Sequence, residues 1–175
     1  MKLKTHISTG LLLGGIVAYL LDCKPTAWDV LVYASAIAAG NVFLDALGHT
    51  WVSRRGRRVP VRNRLHSPLG VLLVSTIAAA PLLYEGEYRL ALGVYAALYL
   101  HLLEDMLTEG GVRIAGRRRR IAHVSYDDPI ANRLAVLSFI ALSLTPALQA
   151  IKGGPTSPVS LYWLLSLAYA LRALL

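Results

Sequence analysis

The sequence has one cysteine, Cys23, ten acidic residues, and no ionisable residue at the centre of any of its long apolar runs. A single cysteine excludes an intramolecular disulfide and a cysteine-based zinc site. The shortage of acids leaves a formal net charge of +8. That charge is not spread among apolar residues, as it would be in a basic soluble protein. It is gathered into short runs between long apolar stretches. With 175 residues, 55% of them hydrophobic, and a mean hydropathy of +0.52, this segregation points to an all-α polytopic membrane protein. It leaves no room for a sizeable soluble domain. Lysine is scarce too: Lys2, Lys4, Lys24 and Lys152 are the whole set. The other cations are arginines, the side chain that grips phosphate or carboxylate in a bidentate way.

Six apolar stretches are present: Ile7–Leu21, Trp28–Val52, Leu69–Tyr84, Leu90–Leu107, Leu134–Ile151 and Val159–Leu175. None alternates polar and apolar residues as a barrel strand would, so each is expected to be a transmembrane helix. The first is short for a hydrocarbon core of about 30 Å; extension back to Thr5 helps. Lys24-Pro25, Glu85-Gly86-Glu87 and Gly153-Gly154-Pro155 carry the turns. Lys2 and Lys4 before an apolar run imitate a signal peptide, and Cys23 imitates a lipoprotein site. Asp22 stands where a small residue would be required, so the first stretch is read as a retained helix.

The cations set an orientation. Lys2 and Lys4 precede the first stretch. Arg54, Arg55, Arg57, Arg58, Arg62 and Arg64 follow the second. Arg113, Arg117, Arg118, Arg119, Arg120 and Arg133 follow the fourth, and Arg172 ends the sixth. Only Lys24, Arg89 and Lys152 fall on the other side. Positive-inside bias therefore predicts both termini and both arginine-rich loops on the cytoplasmic side of the plasma membrane. Such loops also attract anionic lipid headgroups. Nucleic acid is not indicated, because Arg117–Arg120 has no interleaved aromatics.

An ungapped shift of 60 residues superposes His6 on His66, Gly10 on Gly70, Asp45 on Asp105 and Leu47 on Leu107. It also superposes Val52, Gly56, Arg57 and Arg58 on Val112, Gly116, Arg117 and Arg118. Two tandem helical hairpins, 1–60 and 61–120, are expected, with a divergent third unit, 121–175, in a single transmembrane domain.

The histidines are His6, His49, His66, His101 and His123. By the orientation above all lie at the cytoplasmic side, level with Asp45, Glu104 and Asp105. Asn41, Asp45 and His49 are four apart and are expected on one face of the second helix; His101 and Asp105 share the same spacing on the fourth. Ionisable groups near hydrocarbon are costly and face a bundle interior. Imidazole with carboxylate suits Zn, Mn or Fe as a divalent metal. His6, Asp45, His49, His66, His101 and Asp105 suffice for one or two ions, with Asp45 or Asp105 as the catalytic carboxylates able to bridge them. Such a site acidifies water and polarises a phosphoryl or carbonyl oxygen. Arg62 and Arg64 precede His66 closely and are candidates to hold a phosphate. Thr5, Asn41 and Ser67 are candidate hydrogen-bond supports for the ligands, with helix capping as the plainer role. Glu104 lies one residue off the His101/Asp105 face and is expected to pair with arginine or to support a ligand. His123 alone reads as an interfacial anchor.

These residues resemble the membrane-bound, metal-dependent hydrolase family whose bacterial members include a LexA-regulated inner-membrane protein. They are similar, more closely still, to an archaeal branch of it. The matching pieces are Thr5-His6, the run Asn41 to His49, the run Arg62 to Ser67, and the run His101 to Gly110. Of these, His101-x-x-x-Asp105-x-x-Thr108 is the most specific. The resemblance implies that His6, Asp45, His49, His66, His101 and Asp105 bind metal. Its distant likeness to zinc-dependent phospholipase C and P1-type nucleases implies phosphodiester chemistry. Two positions depart from the pattern: Leu65 replaces a threonine, and the second helix carries one aspartate with Asn41 a turn earlier.

The expected activity is hydrolysis of a phosphoester, on a phospholipid or lipid-linked phosphate, at the cytoplasmic face of the bilayer. Asp45, His49 and His6 would form one metal set, and His66, His101 and Asp105 the other. Arg62, Arg64, Ser67 and Thr108 would hold the phosphorylated substrate. The rivals are a structural or regulatory membrane protein with a metal site, and a divalent-metal transporter. The transporter requires polar residues along a path at mid-membrane depth, and the sequence has none.

Overall fold

A computed structural model of the chain describes residues 1–54, 57–125, 127–152, 154 and 157–175, with the side chains of 50–54 and 57–61 left aside. Arg55, Gly56, Gly153 and Pro155, to which turns or topology are assigned above, lie outside the described residues, as do the side chains of Arg54, Arg57 and Arg58. Six α-helices form the body: α1 (Leu3–Leu20), α2 (Ala27–Leu47), α3 (Pro68–Tyr84), α4 (Tyr88–Met106), α5 (Pro129–Lys152) and α6 (Pro158–Leu174). Two antiparallel hairpins interrupt them: β1 (His49–Arg54) with β2 (Arg57–Arg62), and β3 (Val112–Ile114) with β4 (Arg117–Arg119).

The hairpins differ from the expectation. The second apolar stretch does not run helically to Val52. Helix α2 ends at Leu47, where the Gly48 N–H closes on the Leu44 carbonyl at 2.8 Å. The arginine-rich loops are thus paired strands rather than open coil. In the second, Ala115 and Gly116 both have positive φ, 49° and 76°. Two such residues make the two-residue turn whose twist matches a hairpin. Arg54 pairs with Arg57, and Ile114 with Arg117, 60 residues further on.

Local chemistry fixes the helix starts. Thr26 and Asp29 form a reciprocal capping box on α2. Ser67 caps α3 by accepting from Gly70 N–H at 3.1 Å, with Pro68 at the first helical position. Asp128 accepts from the N–H groups of Ile130 and Ala131 and opens α5.

Helix α1 lies at the centre and packs on α2, α4, α5 and α6. Leu12, Ile37, Leu44, Val71, Leu82, Leu90, Leu98 and Trp163 fill the core. Gly93 of α4 is forced by packing: a Cβ there would fall 1.8 Å from the Tyr33 hydroxyl. The outer surface is apolar as well. On α5 alone, Leu134, Leu137, Leu142, Leu144 and Leu148 are exposed. An apolar exterior of this extent requires lipid rather than water. Among the described residues, α1, α2 and α5 are long and apolar enough to cross a membrane. Helices α3 and α6 have 17 residues each, about 25 Å of helix. Helix α4 is long enough but carries Arg89, Glu104 and Asp105.

Helices α2, α3 and α4 each run back against the one before, as α6 does against α5, while α5 packs on α1, so the bundle has two ends. The starts of α1, α3 and α5 meet the ends of α2 and α4. There the Asn132 side chain, near the start of α5, accepts from Thr5 Oγ1 at 2.7 Å and from the Lys2 N–H at 3.0 Å. At the opposite end Tyr19 donates to Gln149 and Arg89 donates to the Leu21 carbonyl.

Candidate metal centre

The first of these ends gathers the histidines. His6 lies in the first turn of α1, His66 in the loop before α3, and His101 in the last turns of α4. His49 is not on α2, as its spacing suggested, but two residues beyond its last residue, Leu47, as the first residue of β1. It stays beside Asp45 all the same, because its Nδ1 donates to the Asp45 carbonyl at 2.8 Å.

Asp105 is the hub. Its Oδ1 lies 3.4 Å from His6 Nε2, and its Oδ2 lies 3.1 Å from His66 Nε2 and 3.6 Å from His101 Nε2. His101 Nε2 is in turn 3.4 Å from His66 Nε2 and 3.8 Å from Asp45 Oδ1. The rings of His6 and His101 stack with centroids 3.8 Å apart, and those of His49 and His66 are 4.8 Å apart. Six donors thus converge in two sets: His6, His101 and Asp105, all buried, and Asp45, His49 and His66, of which Asp45 and His49 are partly exposed.

The opposite nitrogen of each ring is spoken for. His6 Nδ1 bonds Glu104 Oε2 at 2.6 Å, His66 Nδ1 bonds the Gly48 carbonyl at 3.1 Å, and His101 Nδ1 bonds Asn41 Oδ1 at 2.9 Å. Asn41 is oriented by its own Nδ2, which donates to the Ile37 carbonyl. Carbonyl oxygens only accept, so Nδ1 of His49, His66 and His101 donates, which leaves Nε2 of each as the nitrogen available to a metal. This is how metal-binding imidazoles are held. The Nε2 atoms of His66 and His101 are 3.4 Å apart, a spacing that a proton or a cation shared between them satisfies.

Unsatisfied atoms mark the same place. The described residues hold five buried side-chain atoms without a hydrogen-bond partner. Four are here: His6 Nε2, Asp105 Oδ2, Glu104 Oε1 and Arg62 Nε; the fifth is Ser75 Oγ on α3. Buried polar groups are nearly always paired, so a concentration of orphans among metal-type donors fits a divalent ion.

Arg62, expected to hold a phosphate, is turned onto the cluster itself. Its Nη2 donates to Asp105 Oδ1 at 2.6 Å, and its Nη1 donates to Thr108 Oγ1 at 3.0 Å and to the Gly111 carbonyl at 3.1 Å. Gly110 makes room, since a Cβ there would fall 1.6 Å from Nη1. The Met1 nitrogen also lies 3.3 Å from Asp105 Oδ1. Thr108 is fully buried and donates to the Asp105 carbonyl, so it braces Arg62 and Asp105 rather than facing an opening. Ser67 is the α3 cap and donates to the Arg64 carbonyl, while the Arg64 side chain is exposed. Thr5 is tied to Asn132, and His123 is exposed outside both sets. Glu104 takes the supporting role, through His6.

The partition of ligands also differs from the expectation, which kept each set within its own half. Helix α1 packs on α4, and α2 packs on α3. Each set therefore joins the first helix of one half to the second helix of the other. His6 goes with His101 and Asp105, and His66 goes with Asp45 and His49.

No curated protein and no solved structure matches the chain. The likeness to phospholipase C and P1-type nucleases finds no support there. The sequence model of one family does match, over residues 1–174, and its description names an inner membrane protein and no reaction. With apolar helices whose outward faces require lipid, the chain belongs to the YdjM inner membrane protein family and is a membrane protein.

Proposed function

We propose that the protein is an integral-membrane, metal-dependent hydrolase acting on a phosphoester carried by a membrane lipid. In this reading all six helices cross the bilayer, with α3 and α6 at the short end of the spanning range. Both termini and the two hairpins face the cytoplasm, as the arginine distribution argues. The observation that carries the proposal is the cluster of unsatisfied buried donors and acceptors around Asp105, held by histidines whose Nδ1 atoms are already bonded. A divalent ion, Zn or else Mn or Fe, supplies Lewis acidity toward a phosphoryl oxygen and acidifies water.

The chain's own residues do the rest. His6, His49, His66, His101, Asp45 and Asp105 hold one or two ions. Glu104 fixes the His6 ring, and Asn41 fixes that of His101. Arg62 holds Asp105 with one edge of its guanidinium and keeps its Nε edge for a phosphate oxygen. That Nε is the buried cationic donor without a partner in the cluster. Asp45 lies at the seam between the buried Asn41 and Leu44 and the exposed Val42 and Ala46 of α2. A substrate reaching it along that seam comes from an apolar surface, which favours lipid over a soluble phosphate. The test is release of phosphate or headgroup from a panel of anionic lipids by metal-loaded protein in detergent, beside the Asp45→Asn variant. Turnover by wild type alone supports the reading; no turnover of any lipid overturns it.

A second reading has its own support. Each ligand set joins helices from different halves of the chain, so a bound ion would staple the bundle as a structural element. It expects metal removal to lower the unfolding temperature sharply while no lipid is hydrolysed.

A further inference from the structure

We infer that the two ligand sets are two metal positions of unequal character, an inner one that keeps its ion and an outer one that exchanges it. The inference rests on the metal-dependent reading above and goes beyond it in assigning each position a role. Three observations distinguish the sets.

The first is burial. His6, His101 and Asp105 are each 1% exposed. In the other set the Asp45 side chain is 19% exposed and His49 is partly exposed. Closed sites hold structural ions; sites that keep an open position serve reactions.

The second is what holds the ligands. In the inner set His6 leans on the Glu104 carboxylate and His101 on the Asn41 amide oxygen, both side chains within buried helices. A carboxylate behind an imidazole raises its basicity and its grip on a cation. In the outer set His66 and His49 lean on the main-chain carbonyls of Gly48 and Asp45.

The third is the origin of the donors. His6 and His66 are 60 residues apart, as are Asp45 and Asp105 and, in the same register, Asn41 and His101. The first two pairs are identical; the third is not. Asn41 and His101 meet at the seam between α2 and α4, and Asn41 supports the very histidine whose place it holds in its own half. Each half therefore offers a helix-opening histidine and an aspartate to the opposite half, but only the second half adds a helical histidine. The outer set takes its third donor from His49, beyond the end of α2 and at the root of the first hairpin. A donor on a strand root moves more easily than one inside a packed helix.

Metal counting tests this without reference to activity. Wild type, purified in detergent from zinc-replete cells, is dialysed against EDTA and then titrated with zinc. The expected result is retention of about one zinc per chain after EDTA, and uptake of a second with an affinity on the order of 100-fold weaker. His49→Ala is expected to keep the retained zinc and to fail to take up the second. His101→Asn, which makes the two halves alike at this position, is expected to lose the retained one. Helical circular dichroism and a single elution peak establish that each variant is folded. Should His101→Asn not fold, Glu104→Gln replaces it, with release of the retained zinc by EDTA as the expected outcome. Loss of both ions from wild type in one step overturns the inequality, as does loss of the retained zinc from His49→Ala. Protein that takes up no metal under any condition overturns the metal reading itself.

Discussion

The two ends of the bundle bury polar groups in opposite ways. At the end opposite the histidines, a cavity of about 280 Å³ is lined by Tyr33, Tyr162, Trp163 and Cys23, among others. Its buried hydroxyls are satisfied: Tyr33 donates to the Gly14 carbonyl at 2.8 Å and Tyr162 to the Leu11 carbonyl at 2.6 Å. Burial pushes the Cys23 thiol up, so it stays protonated and unreactive. At the histidine end four buried atoms lack partners, yet every ring is fixed from behind. The lesson is that burial alone does not mark a functional site. Satisfied polar atoms hold helices together. Unsatisfied atoms on oriented side chains are a site built for something that arrives from outside the chain.

The contrast predicts different damage at each end. The largest effect is expected from Asp105→Ala. It removes the hub of both ligand sets and leaves the buried Arg62 guanidinium facing no charge. Unfolding in detergent should ease by about 3–5 kcal/mol, and metal content should fall to background in elemental analysis. Gly93→Ala drives a methyl group into the rigid Tyr33 ring, and about 1–3 kcal/mol of stability should be lost with metal content unchanged. Gly110→Ala is its counterpart at the other end. There the obstacle is the end of the long Arg62 side chain, which can turn aside, so stability should fall less than in Gly93→Ala, while zinc affinity, measured by titration, falls because Asp105 loses its anchor. Glu104→Gln keeps the shape behind His6 but removes the charge, and zinc affinity should drop about 10–100-fold with little change in helicity. Tyr33→Phe should cost about 1 kcal/mol and leave metal binding untouched. A change of metal content in Tyr33→Phe, or none in Glu104→Gln, would erase the distinction between the ends.

Much of the site was legible in residue spacing. The Asp45/His49 and His101/Asp105 intervals and the helix-opening His6 and His66 named all six converging donors. Their grouping was not legible, because it follows from α1 packing more extensively on α4 than on α2, its partner within the repeat. Glu104 looked peripheral on a helical wheel. Its role appears only when the start of α1 brings His6 across to it. Arg62 read as a substrate contact by its closeness to His66, and Thr108 by its place a turn beyond Asp105; the structure brings both onto Asp105. Ser67 read as a ligand support and proved to be the cap that its position before Pro68 also allowed. The hairpins were hidden by charge. The arginines announced topology loudly enough to mask the Ala115-Gly116 turn between Val112-Arg113-Ile114 and Arg117-Arg118-Arg119.

The most direct measurement is elemental analysis of wild-type protein, purified in detergent from metal-replete cells, beside folded His101→Ala. About one to two equivalents of a divalent transition metal in wild type, with about one fewer in the variant, is the expected result. A folded wild-type protein without bound metal would contradict the account.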